Sequence, residues 1–242
     1  MPELGRFEVV VRGPLARVLG SHRIERLGAI RNAFERDIPP SEAFLRWLLN
    51  NPGRLVWPSD AGGREKIFAA STTEKRKKLI DGDKKVRDEA LSGLDRFGVC
   101  GSKWKWWAFE GFTSVDCLLE TERLLVFIEG KRTEGISSAT DWFPRRNQVI
   151  RNVEVAREMA GKSKEYAVLL CAEQHIDLPD KAWQESLPHC QDFEIEELKR
   201  HYLGCATWSE IVHRLCPDLM LPDTLDEAID YCAKLRNQGH TS

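Results

Sequence analysis

Between Leu124 and Ile128 the chain reads LLVFI, and this run breaks directly into Glu129-Gly130-Lys131. So dense an apolar run reads as a buried strand. Two charges on one face at its end are costly unless they are paired or hold a metal. Upstream, Ser114 to Glu120 reads SVDCLLE, a second strand. If the two pair antiparallel around a two-residue turn at Thr121-Glu122, Glu120 faces Arg123, Leu118 faces Leu125 and Asp116 faces Phe127. Glu129 and Lys131 then share a face with Asp116, and Glu129 is its diagonal neighbour at about 7–8 Å between backbones. A four-residue turn keeps this parity, whereas a three-residue turn destroys it.

Other elements surround the hairpin. FEVVV (7–11) reads as a short strand, and Ser41 caps a helix through EAFLRWLLN that Asn51-Pro52-Gly53 stops. WPSDAGGREK is a loop or boundary. Thr73 to Phe97 reads helical, with Leu79, Val86, Ala90, Leu94 and Phe97 on one apolar stripe and Gly82 placed to interrupt it. Three strands follow, KWKWWAFEG, SVDCLLE and RLLVFIEG, and then a loop rich in Gly, Ser and Thr. The helix RRNQVIRNVEVAREMA has Pro144 in its first turn and Asp141 as cap, and it stops at Gly161. EYAVLLCAE reads as a strand buried on both faces. From Leu178 onward the pattern is of short helices, with capping boxes at Thr207-x-x-Glu210 and Thr224-x-x-Glu227. We expect an N-terminal extension over 1–60, a core over 61–178 and a helical region over 179–242.

With 42% hydrophobic and 31% charged residues in 242, the chain can bury a real core. A net charge of −2 gives no global basic signal, so nucleic-acid binding must rest on a local patch. The longest apolar run is too short to span a bilayer, and MPELGRFEVVVRG carries charges where a signal peptide is apolar. We therefore expect a cytoplasmic protein with no membrane partner. Seven cysteines, never in C-x-x-C spacing, fit reduced thiols.

Two carboxylates facing an ammonium suit a divalent ion. Mg²⁺ prefers oxygen ligands and keeps several waters, so Asp116, Glu129 and the Gly130 carbonyl leave positions open for a phosphate and a water. Lys131 is placed to orient or deprotonate that water and to stabilise charge on the phosphate. Asp116 and, thirteen positions on, Glu129-Gly130-Lys131 resemble the D…(D/E)-x-K core of the PD-(D/E)XK, or restriction-endonuclease-like, nuclease superfamily. The order helix, three strands, helix, strand over about residues 73 to 173 is similar to that superfamily's core. The resemblance implies an α/β fold with a mixed central sheet flanked by helices, here with extra N-terminal and C-terminal helical segments.

It also implies a nuclease acting on DNA (or RNA), with Asp116 and Glu129 binding Mg²⁺ (or Mn²⁺) and Lys131 serving the attacking water. A further carboxylate from the helix before the sheet is implied, for which Glu89 is the candidate and Asp88 its rival. A polar residue on the helix after the third strand is implied too, and Gln148 matches it. Val115 stands where the family name has proline. Against this stands a catalytically inactive protein of the same fold that binds nucleic acid or supports assembly.

Arg145, Gln148 and Asn152, three and four apart, share a helical face that can touch phosphates or a metal's waters. Arg145-Arg146 also stands at a helix N-terminus, where phosphates bind. In GSKWKWWAFEG, Lys103 and Lys105 alternate with tryptophans, as either a nucleic-acid platform or a half-buried strand whose rings fill the core. EKRKK at 74 to 78 reads as a solvated helix face that can also reach phosphates. His201-x₃-Cys205 and His213-x₂-Cys216 have helical zinc-ligand spacing, with core cysteines and surface histidines as the plainer account. GCATWSEIVHRL is a packing or dimerisation element, which leaves a homodimer open.

Overall fold

The computed structural model describes residues 36–59, 66–131 and 135–215. FEVVV and the Thr224 capping box lie outside them. The described elements are β1 (Arg36–Ile38), α1 (Glu42–Asn50), α2 (Ala70–Ile80), α3 (Lys84–Phe97), β2 (Thr113–Val115), β3 (Cys117–Glu120) and β4 (Leu124–Gly130), followed by α4 (Gln148–Ala160), β5 (Glu165–Ala172), α5 (Asp180–Ser186), α6 (Asp192–Arg200), β6 (Tyr202–Thr207) and α7 (Trp208–Leu215).

The chain is α/β, with a mixed sheet ordered β3-β4-β5-β6 and flanked by helices. β3 runs antiparallel to β4, while β4, β5 and β6 are parallel neighbours. Parallel neighbours need a crossover, which α4 supplies between β4 and β5. A separate antiparallel pair, β1 with β2, leads into β3 through a bend at Asp116. Strands from before residue 61 and after residue 178 therefore complete the sheets.

Two cores organise the packing. In the first, α4 lays Val149, Ile150, Val153 and Ala156 on Leu118, Leu125, Phe127, Val168 and Leu170 of the sheet. Each large side chain fully buried there contributes roughly 1.5–3 kcal/mol relative to exposure. Asn147 caps α4 by accepting from the amides of Val149 and Ile150, so the cap lies six residues past Asp141. The side chains on the opposite sheet face, Leu124, Val126 and Ala167, are buried too, which explains the unbroken apolar runs of β4 and β5.

The second core is aromatic and helical. Phe44, Leu48 and Leu49 of α1 meet Leu79, Val86, Ala90 and Leu94 of α2 and α3, with Trp107, Phe109, Trp142 and Phe143 closing it. Ser41 caps α1 by accepting from the Phe44 amide at 3.1 Å. Gly82, at φ 88°, breaks the long helical stripe in two, and Asp83 caps α3 by accepting from Lys85 and Val86. Phe97, at the end of the stripe, is 45% exposed.

Two sequence expectations fail here. KWKWWAFEG is not a strand: after a 3₁₀ turn at Cys100–Ser102 it winds through turns, and Trp104 adopts φ 72°. From these turns Trp107 and Phe109 are buried against the helices, while Trp104 stays 91% exposed. HYLGCAT supplies β6 rather than a helix, so no helical spacing relates His201 to Cys205. The Thr207 capping box does form: the Thr207 amide donates to Glu210 at 2.8 Å, and the Glu210 amide donates to the Thr207 hydroxyl at 3.2 Å. No described helix is long and apolar enough to cross a membrane.

Candidate metal and catalytic site

The register sets Glu120 opposite Leu125 and Cys117 opposite Ile128, so four residues, Thr121 to Leu124, lie between the last paired positions, Leu124 being also the first residue of β4. The Thr121 amide donates to the Leu124 carbonyl at 2.8 Å, and the Thr121 hydroxyl accepts from the Arg123 and Leu124 amides. The connection is even, so the parity survives. The pairing ends at Cys117, and Asp116 stands at the bend just before it; extended by one step, the same register would set Asp116 opposite Glu129 instead of diagonal to it.

Glu129 is 1% exposed. Its Oε1 accepts from Lys131 Nζ at 2.8 Å and from Gln148 Nε2, and its Oε2 accepts from Asn152 Nδ2 at 3.1 Å. Gln148 and Asn152 stand one turn apart at the start of α4, so the helix that covers the sheet also clamps the carboxylate. Burial pushes the Glu129 carboxyl above its ordinary range. The Lys131 hydrogen bond and charge oppose this, and the Asp116 charge adds to it. That last contribution places the two carboxylates within electrostatic reach of each other.

Asp116 is exposed, and its Oδ2 accepts from the Gly130 amide at 2.7 Å. Gly130 thus enters the site through its N–H. A Cβ at this position would lie 3.1 Å from Trp208 Cζ2 and 3.4 Å from Asp116 Oδ2, so a side chain here would push on the Trp208 ring. Trp208, at the start of α7, also donates from Nε1 to the Lys131 carbonyl at 2.8 Å. Nothing in the local sequence signals this lid on the strand end, because its partner lies 77 residues away.

The donor set fits a hard divalent cation. Both carboxylates offer oxygen and the outer one is open to solvent; burial above all raises Glu129, and the Asp116 charge adds a smaller part that a cation between them would reverse. Asp116, Glu129 and the Gly130 carbonyl are the groups that would hold it.

Other predicted site residues lie elsewhere. Glu89 is exposed and ion-paired with Lys75, on a helix that packs against α1 and α2, and Asp88 pairs with Arg87. The structure therefore does not bring a third carboxylate from α3. Arg145 is exposed, 3.7 Å from Glu185. Lys103 lies 3.3 Å from Asp37, and Lys105 sits over the Phe97 ring. Asn152 is fully buried against Glu129, so it positions the carboxylate rather than a nucleic acid.

Arg146 corrects the sequence reading outright. Its side chain is 0% exposed; it binds Glu110 through Nε at 2.8 Å, Glu154 at 2.6 Å and the Ser186 carbonyl at 3.0 Å, and it stacks on Phe44. No phosphate can reach it. Glu154 also accepts from Ser41 at 2.8 Å and pairs with His189. Burial opposes the charged His189 ring, but hydrogen bonds to Cys190 and Glu154 outweigh it and lift the ring to about 9. Glu154, His189 and Cys190 form a group with metal-ligand spacing. Because Arg146 holds the other Glu154 oxygen, we read this group as part of an ion network.

Compared with protein-family models, with curated proteins and with solved structures, the chain matches none of them.

Proposed function

We propose that the protein is a divalent-metal-dependent nuclease that hydrolyses phosphodiester bonds in DNA, with RNA as the other candidate substrate. The observation that carries this reading is the end of the hairpin, where Asp116 accepts from the Gly130 amide next to Glu129, whose carboxylate meets Lys131 and Gln148. In this reading the restriction-endonuclease-like core is β3, β4, α4 and β5. Asp116 and Glu129 would hold Mg²⁺ or Mn²⁺, which would supply Lewis acidity toward the phosphate. Lys131 orients the attacking water and carries positive charge toward the phosphate oxygens. Gln148 and Asn152 fix the Glu129 carboxylate, and Gly130 fixes Asp116.

A second reading keeps the fold and drops catalysis, leaving a nucleic-acid-binding or assembly module. It draws on the burial of Glu129, both of whose oxygens already have protein donors. Cleavage of plasmid and single-stranded DNA with Mg²⁺ or Mn²⁺ separates the two. We expect wild type to cut, and Lys131→Ala and Asp116→Ala to lose about 100-fold or more in rate. Equal rates for all three remove the assigned site.

A further inference from the structure

A cleft of about 770 Å³ opens between the turns that follow α3 and the N-terminal half of α4, with walls that include Arg76, Ser102, Trp104, Trp106, Trp142 and Arg151. Three acids also line it, and each is already paired: Asp37 with Lys103, Glu110 with Arg146, and Asp141 with Lys66. The arginines are not. Arg76 is 6% exposed, donates from Nε to the Trp106 carbonyl at 2.6 Å and lies against the Phe68 and Trp142 rings, yet its NH1 has no partner. Burial, with no acid to oppose it, lowers its pKa to about 10. Arg151 Nε and the hydroxyl of Ser102 are also buried without partners.

Three residues that line the cleft thus carry a buried hydrogen-bonding atom without a partner, two of them guanidinium groups, an expensive arrangement that an anion drawn against these residues would relieve. Beside them Trp104 is 91% exposed in a left-handed backbone conformation, a strained placement for a large side chain that leaves its ring free to stack. We propose that this cleft seats one phosphorylated nucleoside unit, its phosphate against Arg76 and Arg151 and its base on Trp104, as a free nucleotide or as one unit of a strand. Arg151 links the cleft to the candidate site: it lies one helical turn from Gln148 and feels the charges of Glu110 and Glu129. The inference deepens the nuclease reading by naming where its substrate rests.

The test is binding of a labelled single-stranded oligonucleotide to the full chain in EDTA, so that no cleavage step enters. Trp104→Ala, an exposed position, should weaken binding by about 5- to 100-fold, as loss of one stacked base does. Arg76→Met, checked for fold by circular dichroism, should weaken it at least as much. Displacement by a mononucleotide supports the free-nucleotide source, and displacement by a strand alone supports the strand. Unchanged binding by Trp104→Ala, or inorganic phosphate competing as well as a mononucleotide, overturns the proposal. If Trp104→Ala loses binding while wild type cuts nothing with Mg²⁺, the cleft stands and the nuclease reading falls. If wild type cuts and Trp104→Ala binds and cuts equally, the cleft falls and the nuclease reading stands.

Discussion

Two clusters of charge lie beside α4, and they are built in opposite ways. Around Arg146, two carboxylates and a carbonyl close on a guanidinium that solvent cannot reach, and a histidine and a serine hydroxyl hold one of those carboxylates, Glu154. Around Glu129, one ammonium and two side-chain amides meet a buried carboxylate, while a second carboxylate, Asp116, stays open to water. The first cluster balances its charges internally. The second carries an excess of negative charge at the edge of a sheet. A closed, balanced network locks the packing of the helical lobe to α4, whereas an open, unbalanced one leaves room for a group from outside to balance it.

The contrast breaks most readily at Arg146. Replacing it with methionine leaves Glu110 and Glu154 buried without their cation, and we expect a loss of about 3–5 kcal/mol in urea unfolding. Removing Lys131 instead should cost less stability, since Glu129 keeps its Gln148 and Asn152 donors and its raised carboxyl can take up a proton.

Titration offers a second, smaller break. His189 is lifted to about 9 in the fold against an ordinary 6.5, so the folded protein holds its proton more tightly than the unfolded chain. Its contribution is complete below pH 6.5 and lost as pH rises through 9. Thermal unfolding followed from pH 6 to 10 should fall across that window, and His189→Gln should flatten the fall.

Glu129 should show the smallest effect on stability. Its carboxyl is raised by burial, so the folded state holds more protons than the unfolded one between the ordinary carboxylate range and the raised value. Stability should therefore decline as pH rises through that window. Glu129→Gln should remove the slope while keeping the unfolding free energy within about 1 kcal/mol of wild type near neutrality. A loss as large as that of Arg146→Met would make Glu129 a structural residue.

The open cluster is more legible in the sequence than the closed one. Parity along two adjacent strands is a local property, so residue spacing alone puts Asp116, Glu129 and Lys131 on one face, and an even loop of different length preserves the result. Gln148 and Asn152 follow from helical spacing. Arg146 does not, because two adjacent arginines look alike in sequence. Only Glu110, 36 residues earlier, and Glu154, two turns later, decide that one is buried and the other exposed. KWKWW misleads for a related reason: its alternation suggests a strand with one face of buried rings, but Trp104, left-handed in a turn, is 91% exposed and only Trp107 of the three tryptophans is buried. HYLGCAT hides its strand because every residue of β6 is only half-buried, so no apolar run announces it.

The central claim is that Asp116 and Glu129 share one divalent ion. Calorimetric titration of Mn²⁺ into wild type, Asp116→Asn and Glu129→Gln tests it directly, with unfolding midpoints measured alongside. We expect one ion bound by wild type, weakening as pH falls and Glu129 takes up its proton, and binding at least about tenfold weaker in each variant with its fold intact. Equal affinity in all three proteins contradicts the account.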